Sequence, residues 1–163
     1  MTSPSDDETG FDLADFLPYR LSVVTNRLSQ AFARRYAQAY GLNIPEWRVL
    51  AIVGSFAPLA ANDVCEKAAM DKVKVSRAVG RLERRGLLQR SSDPGDRRVQ
   101  ALSLTREGRA VYDGIVPMAQ SLEESLTGTL SAGERQALVN ALDKIDASLS
   151  CSDTGTDSQS DKA

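Results

Sequence analysis

Residues 60–105 read AANDVCEKAAMDKVKVSRAVGRLERRGLLQRSSDPGDRRVQALSLT, and the parsing of this stretch decides the fold. Its spacing predicts a short helix, a tight turn at Met70-Asp71-Lys72, a basic second helix and then a two-stranded hairpin. Val75, Val79 and Leu82 recur at i, i+4 and i+7, which gives the second helix one apolar stripe. The wet side carries Lys72, Lys74, Ser76, Arg77, Arg81, Arg84 and Arg85. Asp71 is placed to cap the start of that helix, and Gly86 stands where a C-terminal stop belongs. A helix whose exposed side is mostly Lys and Arg is suited to lying along phosphates, with a few side chains left to read base edges.

The hairpin follows at once. Leu87–Ser91 and Val99–Leu104 have strand-like residues, and Ser92-Asp93-Pro94-Gly95-Asp96-Arg97-Arg98 between them has turn chemistry throughout. Folding alone gives little reason for two arginines at a loop tip. A narrow minor groove does, because its enhanced negative potential attracts arginine. Asp96 lies two residues before Arg98, close enough to brace its guanidinium.

At these residues the chain resembles the MarR family of winged-helix transcriptional regulators. The resemblance rests on Asp96-Arg97-Arg98, on Leu102-Ser103-Leu104-Thr105-x-x-Gly108 and on Leu82-Glu83-x-x-Gly86-Leu87. Pro45-Glu46-Trp47-Arg48-Val49-Leu50 resembles the family's second helix. Each motif is short, but in this order and at these spacings they are specific. The resemblance covers about residues 12 to 148.

Composition bounds the rest. A chain of 163 residues with 42% hydrophobic and 26% charged residues is long enough for one domain with a real core. It contains no apolar run of about 18 residues that would span a membrane. The acidic start, MTSPSDDETGFDLADF, is no signal peptide, so the expected compartment is the cytoplasm. Two cysteines, Cys65 and Cys151, give no disulfide framework. Net charge is −2, yet residues 71–109 hold eleven Lys or Arg against five Asp or Glu; that segment is +6 and the remainder −8. A localised basic patch on an acidic protein is an electrostatic footprint for nucleic acid. Histidine is absent, which removes the commonest metal ligand and the commonest general base. No phosphate-binding or dinucleotide fingerprint appears either. Neither an enzyme nor a metal or cofactor protein is expected.

Taken in order, residues 1–11 form an acidic tail expected to be disordered. A long helix is predicted from about Asp12 to Tyr40, with Leu17, Leu21, Val24, Leu28, Phe32 and Tyr36 as its apolar seam and Gly41 as its stop. Asn43 and Glu46 form a capping box for the next helix, in which Trp47, Leu50, Ala51 and either Val53 or Phe56 pack inward. Ala60 occupies the cap position of the short helix at Ala61–Ala69, where serine would serve better. Thr105 caps a long helix to about Leu126, with Val111, Ile115, Met118, Leu122 and Leu126 as its stripe. Ser131-Ala132-Gly133-Glu134 opens a last helix with Leu138, Leu142, Ile145 and Leu149 inward, and Ser150–Ala163 reads as a second disordered tail.

The expected fold is mainly α, a winged helix-turn-helix over about 44–105 within a single domain at 12–149. Helices at about 12–40 and 106–149 carry more apolar surface than the small reading head can cover, which points to an oligomer interface. The resemblance implies a homodimer built from those helices, and two-fold symmetry implies a pseudo-palindromic operator in double-stranded DNA. Major-groove contacts are assigned to Lys74, Ser76, Arg77 and Arg81, with Arg77 the bidentate reader of guanine, and Lys72 is a further DNA-binding residue. Arg98, oriented by Asp96, is assigned to the minor groove and Arg97 to a phosphate.

The resemblance further implies release from DNA by a small-molecule effector, often a phenolic or aromatic acid, sometimes as its thioester. Tyr19, Arg20, Tyr36, Trp47, Arg48 and Tyr112 are the candidate lining, with Arg20 and Arg48 for an anionic group. Core packing is the plainer reading of each aromatic. Two rivals remain: a winged-helix module that binds an acidic protein, and a thiol-redox regulator. Cys65 and Cys151 are poor thiol sensors. Related sensors place theirs near the start of the first helix, Cys65 suits a small core residue, and Cys151 has no electropositive surroundings.

Overall fold

The computed structural model describes residues 11–92 and 100–153. The element order is α1 (Leu17–Tyr40), α2 (Ile44–Phe56), β1 (Leu59–Ala60), α3 (Ala61–Ala68), α4 (Lys72–Arg84), β2 (Leu88–Ser92), β3 (Gln100–Leu104), α5 (Arg106–Thr127) and α6 (Ala132–Asp153). The chain divides into two compact units, one ending at Met118 and the other beginning at Ala119.

Most boundaries follow from local chemistry. Asn43 Oδ1 accepts from the Glu46 amide at 3.0 Å while Glu46 Oε2 accepts from the Asn43 amide at 3.0 Å, the reciprocal capping box that starts α2. Asp71 Oδ1 accepts from the Lys74 amide at 2.8 Å and starts α4. Gly41 and Gly86 take φ of +62° and +67° where α1 and the α4 segment end, a conformation glycine adopts without Cβ strain. Ala60 offers α3 no side-chain acceptor, as its identity dictates; instead Asp63 Oδ2 accepts from the Ala60 amide at 3.3 Å.

Three expectations need correction, and one open alternative closes. The first helix begins at Leu17 rather than near Asp12, with Pro18 inside its first turn. Ahead of it a turn closes on Asp12, whose carboxylate accepts from the Ala14 amide at 2.8 Å and whose carbonyl accepts from the Asp15 amide at 3.2 Å. The last helix continues through Ser150 to Asp153, so the segment assigned to a tail begins as helix. Of the two alternatives in α2, Val53 packs inward and is fully buried, as are Val49 and Leu50, whereas Phe56 is exposed with Lys67 Nζ 4.8 Å from its ring centre. Finally, β1 was not anticipated at all.

The sheet has strand order β1-β3-β2, antiparallel throughout. Leu102 sits at its centre, paired with Leu59 on one side and Arg90 on the other. Its side chain enters the core of the first unit with Leu42, Leu50, Val53, Val64, Val75, Val79, Leu82 and Ile115, all essentially without exposure. Two contacts lock the hairpin to the helices. Thr105 Oγ1 donates to the Gly86 carbonyl at 2.6 Å and accepts from the Gly108 amide at 3.0 Å. Gly108 is buried against the Leu87 carbonyl, where a Cβ would collide with backbone. The Leu82–Leu87 and Leu102–Gly108 motifs are therefore two halves of one joint.

In the second unit, Ser131 and Glu134 form the reciprocal cap of α6, with Oγ–H to Oε2 at 2.7 Å and amide to Oε2 at 2.8 Å. Those bonds, the side-chain one first, hold the Glu134 carboxyl below its ordinary range. Glu123 and Arg135 pair at 2.7 Å. Leu126, Leu130, Leu138, Val139, Leu142 and Leu149 remain exposed. The α1 seam is likewise covered only towards its C-terminal end: Tyr36 is buried, whereas Leu17 and Val24 are more than half exposed.

Candidate nucleic-acid interface

Helix α4 buries Val75, Ala78, Val79 and Leu82 and turns its remaining face outward. Lys72, Lys74, Ser76, Arg77 and Arg84 are exposed there. Lys74 Nζ lies 3.0 Å from Asp71 Oδ2, so the cap residue also steadies one of the lysines. The backbone bond from Lys74, followed by its side-chain bond, holds the Asp71 carboxyl below its usual value. The short helix α3 precedes α4, and Ala69 at φ +48° makes the turn between them. A cleft of about 210 Å³ is lined by α3, α4 and β2 residues that include Cys65, Lys72, Ser76 and Arg90. Cys65 is half buried and packs against the core.

Three other arginines turn inward or sideways. Arg81 Nε donates to Glu46 Oε1 at 2.5 Å, bridging α4 to the first turn of α2. The Glu46 side chain is only 6% exposed, and that of Arg81 40%. Arg85 donates to the carbonyls of Tyr40 at 2.6 Å and Gly41 at 3.1 Å, which satisfies the open end of α1. Arg90 pairs with Glu83 at 2.6 Å. Arg81 and Arg90 thus tie α4 to α2 and to β2 within the winged helix-turn-helix, and Arg85 ties its end to α1. Sequence placed Arg81 among the groove contacts because helix periodicity shows only which residues share a face, and the partner carboxylate lies 35 positions away. Asp96, Arg97 and Arg98 lie outside the described residues.

A second constellation joins α1, α2 and α5. Phe32, Tyr36, Trp47 and Tyr112 form a chain of aromatic contacts, with ring centres 4.9 Å apart for Phe32–Tyr36, 5.7 Å for Tyr36–Trp47 and 6.3 Å for Trp47–Tyr112. Burial pushes the Tyr36 phenol up to about 12; the Arg48 guanidinium opposes that rise and the Glu46 carboxylate adds to it. Tyr112 shares a 3.0 Å hydrogen bond with Ser55 Oγ, while Arg109 stands over its ring at 5.1 Å and donates to the Gly54 carbonyl. Of the six residues proposed to meet a ligand, Tyr36, Trp47, Arg48 and Tyr112 thus share one neighbourhood. Tyr19 and Arg20 are exposed near the start of α1, about 25 Å along the helix from Tyr36 at 1.5 Å per residue. Phe32 belongs to the cluster and was read from sequence only as seam; its spacing of four from Tyr36 was the available signal.

Two helices joined by a tight turn, followed by an antiparallel hairpin, define a winged helix-turn-helix protein. A family model described as MarR family matches residues 40–99. The HTH-type transcriptional repressor NicR of Pseudomonas putida is 30% identical over 147 residues, covering 88% of this chain and 92% of that protein. The chain belongs to the MarR family of transcriptional regulators. Among solved structures, a MarR family regulator from Silicibacter pomeroyi is 29% identical with TM-score 0.73, over 84% of this chain and 92% of that one. Bordetella bronchiseptica BpsR, whose DNA binding is regulated by 6-hydroxynicotinic acid, is 28% identical with TM-score 0.73, over 84% and 97% of the two chains. No helix among the described residues is long and apolar enough to cross a membrane.

Proposed function

We propose that this protein is a homodimeric repressor that holds a pseudo-palindromic operator and releases it when a small aromatic acid binds. The observation that carries the reading is the exposed outward face of α4, where Lys72, Lys74, Ser76 and Arg77 stand clear of every core contact. Phosphate contacts then supply affinity and its salt dependence, and base-edge contacts supply choice. Arg77 reads guanine, Arg98 enters the minor groove with Asp96 as its brace, and Arg97 meets a phosphate. Arg81, engaged by Glu46, positions the helix rather than touching bases.

Pairing is supported by apolar side chains left bare on α1, α5 and α6, too many for a lone chain to leave in water. The effector class is supported by BpsR and its 6-hydroxynicotinic acid. In this chain Arg48 is suited to the carboxylate, and Trp47 and Tyr112 to the ring faces. A ligand of this kind lowers operator affinity only if it prefers the form that does not fit DNA.

The test is a selection of duplexes from a random library by the full chain, followed by titration at fixed salt. One palindromic sequence should emerge and be bound far more tightly than random DNA, and 6-hydroxynicotinic acid or a related aromatic carboxylate should weaken that binding. Equal binding to all duplexes would favour a protein-interaction module instead.

A further inference from the structure

The outward pole of α4 is not uniformly basic. At 100° per residue, the positions diametrically opposite Val75, Ala78, Val79 and Leu82 are Val73, Arg77, Gly80 and Arg84. Two of these four are apolar or bare. Val73 leaves 57% of its surface in water, between two lysines in the first turn of the helix. Its β-branched side chain gains nothing for the helix there and makes no part of the core.

Gly80 is the second anomaly. Glycine inside a helix weakens it relative to alanine, so its presence calls for a steric reason. Three other helical glycines of the first unit have one. A Cβ on Gly54 would fall 2.5 Å from the Tyr112 ring, one on Gly108 would strike the Leu87 carbonyl, and one on Gly114 would strike the Tyr40 hydroxyl. A Cβ on Gly80 would meet only the far end of the Arg84 side chain, at 3.9 Å. Nothing inside the described chain requires the missing side chain, and it is missing on the face turned away from the core.

We infer that Val73 packs against the C5-methyl group of a thymine in the major groove, and that Gly80 is the clearance that lets DNA approach α4 closely enough for that contact. The chemistry fits the location. Residues in the N-terminal part of a groove-binding helix reach base edges, and the thymine methyl is the one apolar group that the major-groove edge offers. The inference rests on the reading of α4 as a major-groove helix and adds a base preference to it.

The experiment uses the full chain and the duplex recovered by selection, with each thymine replaced in turn by uracil, which lacks only the methyl. One or two thymines in each half-site should stand out, uracil there weakening binding about fourfold. Val73→Ala should bind the thymine duplex about tenfold less tightly and should no longer distinguish thymine from uracil. Gly80→Ala should melt at a higher temperature than the parent and still bind DNA more weakly, two opposite signs that a purely structural glycine cannot give. A preferred duplex that tolerates uracil everywhere, or a Val73→Ala variant that keeps the discrimination, overturns the methyl contact. Full affinity in Gly80→Ala overturns the clearance. If no duplex is preferred at all, the repressor reading itself fails and takes this inference with it.

Discussion

Arg81 Nε and Glu46 Oε1 lie 2.5 Å apart and join the third turn of α4 to the first turn of α2. The second Glu46 oxygen accepts from the Asn43 amide, so this one buried carboxylate caps α2 and anchors α4 at once. Removing the cation leaves a buried charge half satisfied. Arg81→Met should therefore destabilise the fold by about 2 kcal/mol, the pair being partly exposed. Its effect on DNA should differ in kind from that of Arg77→Met. Arg77→Met should lower the slope of log affinity against log salt by about one, because a phosphate or base contact is lost, whereas Arg81→Met should leave the slope unchanged. Urea melts and salt titrations of both variants separate the two roles, and a reduced slope in Arg81→Met would make it a DNA contact after all.

The wing carries its own prediction, drawn from sequence chemistry. Arg98→Ala should weaken operator binding by about 1–3 kcal/mol with little change in melting temperature. Asp96→Ala should lose part of that amount through a less ordered guanidinium. Unchanged affinity in Arg98→Ala at fixed salt removes the minor-groove assignment.

Gly108 permits a backbone contact that no other residue allows. Its Cβ position is occupied by the Leu87 carbonyl, and its amide is bound by Thr105 Oγ1. Gly108→Ala should cost about 2 kcal/mol or more, since backbone rather than a flexible side chain must move. Thr105→Ala, which deletes the cap and the bond to Gly86, should cost about 1 kcal/mol. If Gly108→Ala melts with the parent, the joint between hairpin and α5 is softer than its geometry implies.

The helices and their capped ends were legible because caps are local; the start of α1, which has no side-chain cap, and the end of α6 were not. Asn43–Glu46, Asp71–Lys74 and Ser131–Glu134 each span three residues, and Gly41 and Gly86 act within one turn. Strand β1 escaped because two residues, Leu59 and Ala60, cannot show an alternation; only the partner strand defines them. The roles of Arg81 and Arg85 escaped for the same reason in side-chain form, since their acceptors are 35 and 45 positions distant. The meeting of Tyr36, Trp47 and Tyr112 was expected only through the family resemblance, and nothing in their own spacing shows it. Tyr36 and Tyr112 are brought to Trp47 by tertiary packing alone, while Tyr19, on the same helix as Tyr36, is carried away by distance along the axis.

Tyr36 makes the core sensitive to alkali. Its phenol is raised from 10.0 to about 12, chiefly because burial disfavours the charged form. The folded-state value lies above the unfolded one, so the neutral phenol's contribution is fully present below about pH 10 and is lost as pH rises towards 12. A spectrophotometric titration should find Tyr36 ionising late, and Tyr36→Phe should remove that late step. The stability of Tyr36→Phe should also fall less steeply than the parent's between those two pH values. An alkaline titration that Tyr36→Phe leaves unchanged near pH 12 would contradict the burial.

Helix α6 tests the pairing of chains. Leu138 and Leu142 are 48% and 44% exposed, one turn apart on the same side of the helix, and Leu149 two turns on is 62% exposed. Placing a carboxylate among such side chains removes apolar burial and adds a charge with no partner, and two-fold symmetry doubles the effect in a dimer. In an isolated chain the same change is nearly neutral, because the site already faces water. Leu142→Glu should therefore raise the dimer dissociation constant by about 100-fold or more while leaving the helical circular dichroism of a concentrated sample in place. Operator binding should fall with it, since two half-sites are no longer held by one linked pair of heads. The melting temperature of the parent should rise with protein concentration and that of Leu142→Glu should not. Sedimentation that gives the parent a single-chain mass at micromolar concentration would overturn the pairing, and a Leu142→Glu variant that remains fully dimeric would place its surface elsewhere.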